Sequence, residues 1–294
     1  MLIEFSVKNY RSFRDEAILS LEATKSSTLK SVLIPFGGTP ILPSTAIYGK
    51  NGGGKSNVIR AFWLAVQFIR NAQRTQHEKA PIPVTPFALN DYSASEPTKF
   101  SFLYTLDGIR YWYSFSATKE KVYTESLYHA PKGRKTLVFT REGQEFSFTE
   151  AKTRRNLISQ VVAENQLFFS VACTMNDVDC AKAMMWFREM IYFSRDYSDI
   201  PRQLLEYSND ANILRAISNY AKAADVGIED MRFEINGKQI DEEAASSEEI
   251  RAELVQFMRL LSETSNDSET NLKAISIHQG KDKIGNSNVY TMEL

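Results

Sequence analysis

The residues Gly49-Lys50-Asn51-Gly52-Gly53-Gly54-Lys55-Ser56 fit the spacing G-x-x-x-x-G-K-[ST], a pattern with a phosphate-binding mechanism. Gly49, Gly52, Gly53 and Gly54 let the backbone approach an anion closely, with amide N–H groups turned inward around phosphate oxygens. Lys55 supplies a point charge for β- and γ-phosphates, and the Ser56 hydroxyl is a ligand for Mg2+. Asn51 lies at the middle of the loop and Asn57 directly after it. The ligand this chemistry implies is ATP with Mg2+.

Such a loop works only between a strand and a helix. Thr45-Ala46-Ile47-Tyr48 reads as a short buried strand. Asn57 to about Ala72 reads as a helix, with Val58, Ile59, Phe62, Leu64, Ala65, Phe68 and Ile69 apolar at roughly helical spacing. The N-terminus of that helix adds its dipole to the anion site.

The rest of the chain must supply a frame for this loop. Hydrophobic residues make up 43% of the 294, enough for a sizeable core in one large domain or two ordinary ones. A net charge of -1 gives no global attraction to nucleic acid or membrane. No apolar run approaches the roughly 18 residues of a membrane span. The first residues have no signal-peptide pattern, and the expected location is cytoplasmic. Cys173 and Cys180 read as reduced, buried or semi-buried thiols, because His77, His129 and His278 are too scattered to complete a zinc site.

Leu2 to Lys8 alternates as a half-buried strand with Ile3, Phe5 and Val7 inward. Glu16 to Ala23 reads as a second strand, with a helix as the alternative, and residues 24–44 are loop with short strand pieces. Pro81 to Phe87 excludes helix. Thr98–Leu106 and Ile109–Ala117 flank the turn dipeptide Asp107-Gly108, and alternation continues over Lys121–Tyr128, Thr136–Thr140 and Glu145–Phe148. This is an antiparallel meander whose aromatics face a core or pair across strands, a base-stacking surface being the alternative. Helical periodicity follows at Asn156–Glu164, Asp177–Arg195 and Pro201–Ala224. A strand at Gly227–Ile235 precedes the turn Asn236-Gly237, an acidic stretch at 241–249 and a helix at 248–262. Leu272–His278 and Asn288–Leu294 form a last strand pair. The expected fold is α/β with α+β character: a P-loop core, an antiparallel meander and a helical lobe. The expected divisions are 1–150 (nucleotide-binding lobe), 151–265 (helical lobe) and 266–294 (a strand pair returning to the core).

A P-loop ATPase also needs an acidic residue at the end of a buried strand to hold Mg2+. Asp15-Glu16, Glu229-Asp230 and Asp241-Glu242 all lack the apolar run that should precede it, and no Leu-Ser-Gly-Gly-like segment is present. Catalytic residues therefore remain unknown.

With the turn Asn9-Tyr10-Arg11-Ser12-Phe13 ahead of the P-loop, the chain resembles ATP-binding-cassette ATPases of the SMC and RecF type. It is more closely similar to small AAA-family ATPases of bacterial defence loci, the RloA and abortive-infection AbiLii-like proteins. There the loop often reads Gly-x-Asn-Gly-x-Gly-Lys-Ser-Asn, as Gly49 to Asn57 does. Pro86-Phe87-x-Leu89, Asp107 to Tyr111 and Tyr123 to Tyr128 also look like that family. The resemblance implies that Arg11, Ser12 and Phe13 approach the base and ribose, and that Gln160 or Gln166 contacts Mg2+ and the attacking water. It further implies that the chain is the amino-terminal part of such an ATPase, working as a homodimer or with a complementary C-terminal polypeptide and an effector protein.

Three functions compete: an ATPase module driven by dimerisation, a non-catalytic nucleotide sensor or regulatory subunit, and a P-loop kinase or GTPase. The last suits neither the antiparallel strands nor the missing Asn-Lys-x-Asp. Nucleic acid enters as a partner through a basic patch of Lys132, Arg134, Lys135, Arg141, Lys152, Arg154 and Arg155.

Overall fold

The computed structural model describes residues 1–24, 30–71, 80–90, 92–191, 211–223, 228–235, 238–239, 272–281 and 287–293. The expected helix at 248–262, the acidic stretch 241–249, the 201–210 part of the expected helix at 201–224, the Asn236-Gly237 turn and His77 lie outside them. The chain divides into two compact units, Met1–Phe193 and Ser194–Leu294.

The first unit is built on one sheet of seven antiparallel strands in the order β2-β1-β3-β4-β5-β6-β7. These are β1 (Leu2–Lys8), β2 (Ala17–Ser20), β3 (Thr98–Leu106), β4 (Ile109–Ala117), β5 (Val122–Ala130), β6 (Thr136–Glu142) and β7 (Glu145–Phe148). The meander expected from alternation is therefore observed. Asp107 and Gly108 both take positive φ (51° and 75°), the turn geometry that a tight two-residue hairpin requires.

Alternation gives this sheet two unlike faces. On one, Ile3, Phe5, Val7, Phe100, Phe102, Tyr104, Tyr113 and Phe115 are buried. On the other, Ser6, Ser101, Ser114, Ser126 and Thr140 share one row across five strands. The hydroxyls of Ser114 and Ser126 pair at 2.9 Å within it.

Among the described residues this unit has four α-helices, α1 (Lys55–Asn71), α2 (Lys152–Ser159), α3 (Phe168–Thr174) and α4 (Val178–Glu189). The apolar sheet face meets them through aromatic contacts. Phe62 of α1 lies 5.1 Å from Phe5, Trp186 of α4 stacks on Tyr104 at 4.3 Å, and Phe169 of α3 lies 4.5 Å from Tyr113. Helix α1 buries Ala61, Ala65, Val66, Phe68 and Ile69 but leaves Ile59 52% exposed, so its apolar stripe is narrower than the sequence suggests. Helix α2 starts and ends several residues before the expected Asn156–Glu164. Helix α4 opens at Asp177, whose carboxylate caps the Cys180 amide. Sequence periodicity missed α3 because Phe168 through Cys173 are all buried, so no polar face marks the helix.

One expectation fails beside the P-loop. Thr45–Tyr48 forms no strand, and Tyr48 is 90% exposed. A strand buries its side chains only between neighbours, and among the described residues none pairs with this segment.

The second unit holds α5 (Ala211–Ala223) and a four-stranded sheet in the order β11-β10-β8-β9. Its strands are β8 (Asp230–Ile235), β9 (Lys238–Gln239), β10 (Leu272–Lys281) and β11 (Ser287–Glu293). The expected final strand pair is present as β10 and β11, with His278 opposite Tyr290. Ser218 of α5 donates to Asp230 at 2.6 Å, and Lys222 pairs with the same carboxylate at 3.2 Å.

Candidate nucleotide site

The loop Gly49–Ser56 runs from the exposed segment into the first turn of α1. Gly52 and Gly54 have φ of +78° and +86°, which side chains disfavour. The Gly53 amide closes a turn onto the Lys50 carbonyl at 3.0 Å. Among the described residues the N–H groups of Gly52 and Gly54 have no main-chain acceptor. The Lys55 ammonium donates to the carbonyls of Gly49 (2.7 Å) and Lys50 (2.8 Å), so it lies over the loop. The first turn of α1 carries no acidic side chain to oppose the positive end of the helix dipole. Ser56 is exposed at that turn, and Asn51 is exposed in the loop.

The turn after β1 lies directly against this loop. Asn57 Nδ2 donates to Ser12 Oγ at 2.8 Å. A Cβ on Gly54 would sit 3.1 Å from two Phe13 ring carbons and from Ser12 Oγ. Ser12, Phe13, Gly54 and Asn57 are therefore in one place. Arg11 is exposed, with its Nε donating to the Tyr10 hydroxyl at 3.2 Å.

Asn9 holds the turn in shape, a role the sequence reading did not give it. Its backbone takes φ +55°, which Asn tolerates better than most residues. Its side-chain amide donates to the carbonyls of Ser93 (2.9 Å) and Glu96 (2.8 Å) and accepts from the Phe87 amide at 3.0 Å. Arg11, also at positive φ (51°), donates its amide to the Thr85 carbonyl at 2.9 Å. The signal was available: an Asn at the end of an alternating strand, ahead of a tight polar turn, is a left-handed position.

Two buried charge centres lie elsewhere in this unit. The Glu125 carboxylate accepts from Tyr113 OH (2.9 Å) and from the amides of Phe168 (2.8 Å) and Phe169 (2.9 Å), with Arg141 at 3.7 Å. Burial pushes its pKa up, and Arg141 and the two amides only partly oppose that. Burial pushes Arg141 down, and Glu125 opposes it. In the second centre, Arg155 pairs with Asp177 at 2.9 Å and Asp179 at 2.7 Å. Burial would lift the Asp177 carboxyl, but hydrogen bonds from Arg155 and the Cys180 amide outweigh it and hold it below its ordinary range.

These centres revise the expected basic patch. Arg141 and Arg155 are buried and paired, so they cannot contribute to it. Arg154 donates to the carbonyls of Met175 (2.7 Å) and Asn176 (3.0 Å), while Lys132, Arg134, Lys135 and Lys152 are exposed. Gln166 is engaged in its own turn, its side-chain oxygen accepting from the Ala163 amide at 3.2 Å, and Gln160 is exposed at the end of α2. Cys173 and Cys180 are free and buried, as expected. Among the described residues no cluster of His, Cys, Asp or Glu could hold a metal ion, and no helix is long and apolar enough to cross a membrane.

Residues 44–225, more than half of the chain, match the family described as "AAA domain, putative AbiEii toxin, Type IV TA system". The chain belongs to this family of AAA domains. The mixed α/β architecture, with its seven-stranded antiparallel sheet, is consistent with such a domain. The family is one of P-loop ATPase modules, which generally bind ATP with Mg2+. No curated protein matches the chain. The matched span starts after the β1–β2 turn, yet Ser12 and Phe13 of that turn pack against the P-loop of this AAA domain.

Proposed function

We propose that this AAA domain binds ATP·Mg2+ at Gly49–Asn57, with Lys55 on the outer phosphates, Ser56 on the metal, and Arg11, Ser12 and Phe13 on the ribose and base. The observation that carries this is the Ser12–Asn57 hydrogen bond together with the 3.1 Å approach of Phe13 to the Gly54 position. They join the sequence-remote turn to a helix N-terminus that has no acidic side chain. The residues suit a polyphosphate: among the described residues two glycine amides have no backbone acceptor, and an ammonium already lies over the loop. Bound ATP would supply the anhydride, and the protein's part is to hold its phosphates and screen their charge.

The module is of the ABC, SMC and RecF-like class, and it works cytoplasmically in a bacterial defence system of the RloA or AbiLii-like, abortive-infection kind. Turnover requires dimerisation and acidic residues supplied by a complementary C-terminal polypeptide. The exposed Thr45–Tyr48 segment supports this, since its sequence is that of a buried strand and it has no strand beside it among the described residues. A second reading, a nucleotide sensor without turnover, follows from the lack of an apolar run ending in Asp-Glu.

Calorimetric titration with ATP·Mg2+ tests the site. Wild type should bind, and Lys55→Ala should weaken binding by about ten- to a hundredfold, the loss of a charge-assisted contact. Unchanged affinity in that variant would sink the assignment. Steady turnover by this chain alone would refute both the sensor reading and the need for a complementary polypeptide.

A further inference from the structure

Beyond the P-loop, the polar face of the seven-stranded sheet carries a cleft of about 390 Å3 at its other end. The register fixes that separation. Lys8, next to the turn that touches the P-loop, lies opposite Lys99 near the start of β3. The cleft surrounds the β3–β4 turn, at the far end of the same nine-residue strand. At about 3.3 Å per residue the two ends are roughly 25 Å apart.

Three half-buried aromatic rings and two cations form the cleft and its rim. The Arg110 guanidinium lies 5.0 Å from the Phe36 ring centre and 5.9 Å from that of Trp112. The Lys135 ammonium lies 4.9 Å from Trp112 and 4.5 Å from Tyr128. Trp112 and Tyr128 are direct cross-strand partners, and Arg110 and Lys135 link the three rings, Arg110 lying against Phe36 and Trp112 and Lys135 against Trp112 and Tyr128. The three segments that build the site, residues 34–40, 106–110 and 130–135, hold Arg110, Lys132, Arg134 and Lys135 against one carboxylate, Asp107. Among the described residues neither Arg110 nor Lys135 has a carboxylate partner. Gly108 and Gly133 line the cleft with open space where a side chain would be, so a ligand can come close to the backbone.

We infer that this cleft binds a single-stranded nucleic acid segment, with Arg110 and Lys135 contacting phosphates and Trp112, Tyr128 and Phe36 offering ring surface to bases. Ring contacts hold both cations in place before a ligand arrives, which lowers the ordering cost of binding. A compact anion such as free phosphate makes no use of three rings. A duplex presents no base faces to them, whereas a single strand offers phosphates and unstacked bases together. The inference does not rest on nucleotide binding at the P-loop.

Fluorescence anisotropy of a labelled oligothymidylate of about 20 nucleotides, with the full chain and no ATP, tests it. Wild type should bind the single strand more tightly than a duplex of the same length. The double variant Arg110→Ala, Lys135→Ala should lose about tenfold or more in affinity. Its plot of log K against log salt should be shallower by about 1.4, two phosphates at roughly 0.7 each. Trp112→Leu should weaken binding about tenfold while leaving the salt slope unchanged. Lys135→Glu, at an exposed position, reverses the charge without disturbing the core and should also weaken binding. Lys55→Ala should bind the strand like wild type, which separates this site from the P-loop. The inference is overturned by no binding at low salt, by equal binding of duplex, or by Arg110 and Lys135 variants that bind normally. It is also overturned if inorganic phosphate displaces the strand better than chloride at equal ionic strength, since that marks a site for one phosphate group.

Discussion

Lys55 and Arg141 are both cations held by main-chain carbonyls, and the contrast between them separates the site from its frame. Lys55 reaches two carbonyls, five and six residues back in its own loop, at a half-exposed position. Arg141 is buried, and its guanidinium reaches the carbonyls of Gly143 (2.7 Å), Glu164 (3.3 Å) and Gln166 (2.5 Å), as well as the Glu125 carboxylate. The first arrangement joins nothing distant, and in the proposed site its two carbonyls would be exchanged for phosphate oxygens. The second ties β5, β6 and the segment before α3 together. The same donor chemistry leaves a cation available to a ligand where its acceptors are local and makes a structural joint where they are remote.

The largest test of that contrast removes each cation in turn. Arg141→Ala leaves Glu125 buried without its counter-charge and should destabilise the first unit by about 3–5 kcal/mol. Lys55→Ala should change stability by no more than about 0.5 kcal/mol, because no buried group loses a partner. Urea unfolding of both variants measures this, and equal losses would erase the distinction. Asn9→Ala comes next. It removes three side-chain hydrogen bonds and puts a less tolerant residue at positive φ, for a loss of about 2–3 kcal/mol. It should also weaken nucleotide binding, because the turn it holds carries Ser12 and Phe13.

Acid should distinguish the two buried charge centres. Asp177 has a folded pKa below its ordinary 3.8, so it binds protons less readily folded than unfolded. Its contribution to stability is full above that ordinary value and is lost as pH falls through the lower folded one. Glu125 has the opposite sign. Its folded pKa lies above the ordinary 4.5, so stability declines as pH rises from there through the folded value. Urea midpoints measured from pH 2 to 7 should show a flattened acid limb in Asp177→Asn and a flattened decline at higher pH in Glu125→Gln. A Glu125→Gln profile that superimposes on wild type would show that this carboxyl does not titrate with a raised pKa.

Local pattern made the strands, the Asp107-Gly108 hairpin and the glycine-rich loop ahead of α1 legible, because each depends on residues close in sequence. Period-two alternation located β1 and the meander strands β3 to β7, while a helix competed with the strand at β2, and G-x-x-x-x-G-K-S located the loop. What stayed hidden depends on distance. Helix α3 has no polar face, so its period is invisible. Arg141 and Arg155 look like any exposed cation until Glu125 and Asp177 arrive from other elements. The segment before the P-loop has the composition of a buried strand, but burial is a property of neighbours, and composition alone cannot supply them. Arg110 and Trp112 are two apart on one strand, yet the site they form also needs Phe36, which comes from a loop seventy-odd positions earlier.

The smallest effect isolates the contact between the turn and the loop. Gly52 and Gly54 both have positive φ, so an alanine at either incurs the left-handed penalty of about 1–2 kcal/mol. They differ in what the new Cβ would meet. At Gly52 nothing lies within 4 Å, whereas at Gly54 the Phe13 ring and Ser12 Oγ are both at 3.1 Å. The Gly54→Ala variant should therefore be less stable than Gly52→Ala by a further increment of about 1 kcal/mol, the scale of overpacking by one methyl group. The Ser12–Asn57 hydrogen bond lies beside that point, so displacing the turn should also lower ATP affinity more in Gly54→Ala than in Gly52→Ala. Cutting Phe13 to alanine in the Gly54→Ala background should recover part of the difference, because it empties the space the added methyl needs. Equal stability of the two glycine variants would mean that the turn yields freely, and that Ser12 and Phe13 are neighbours of the loop without shaping it.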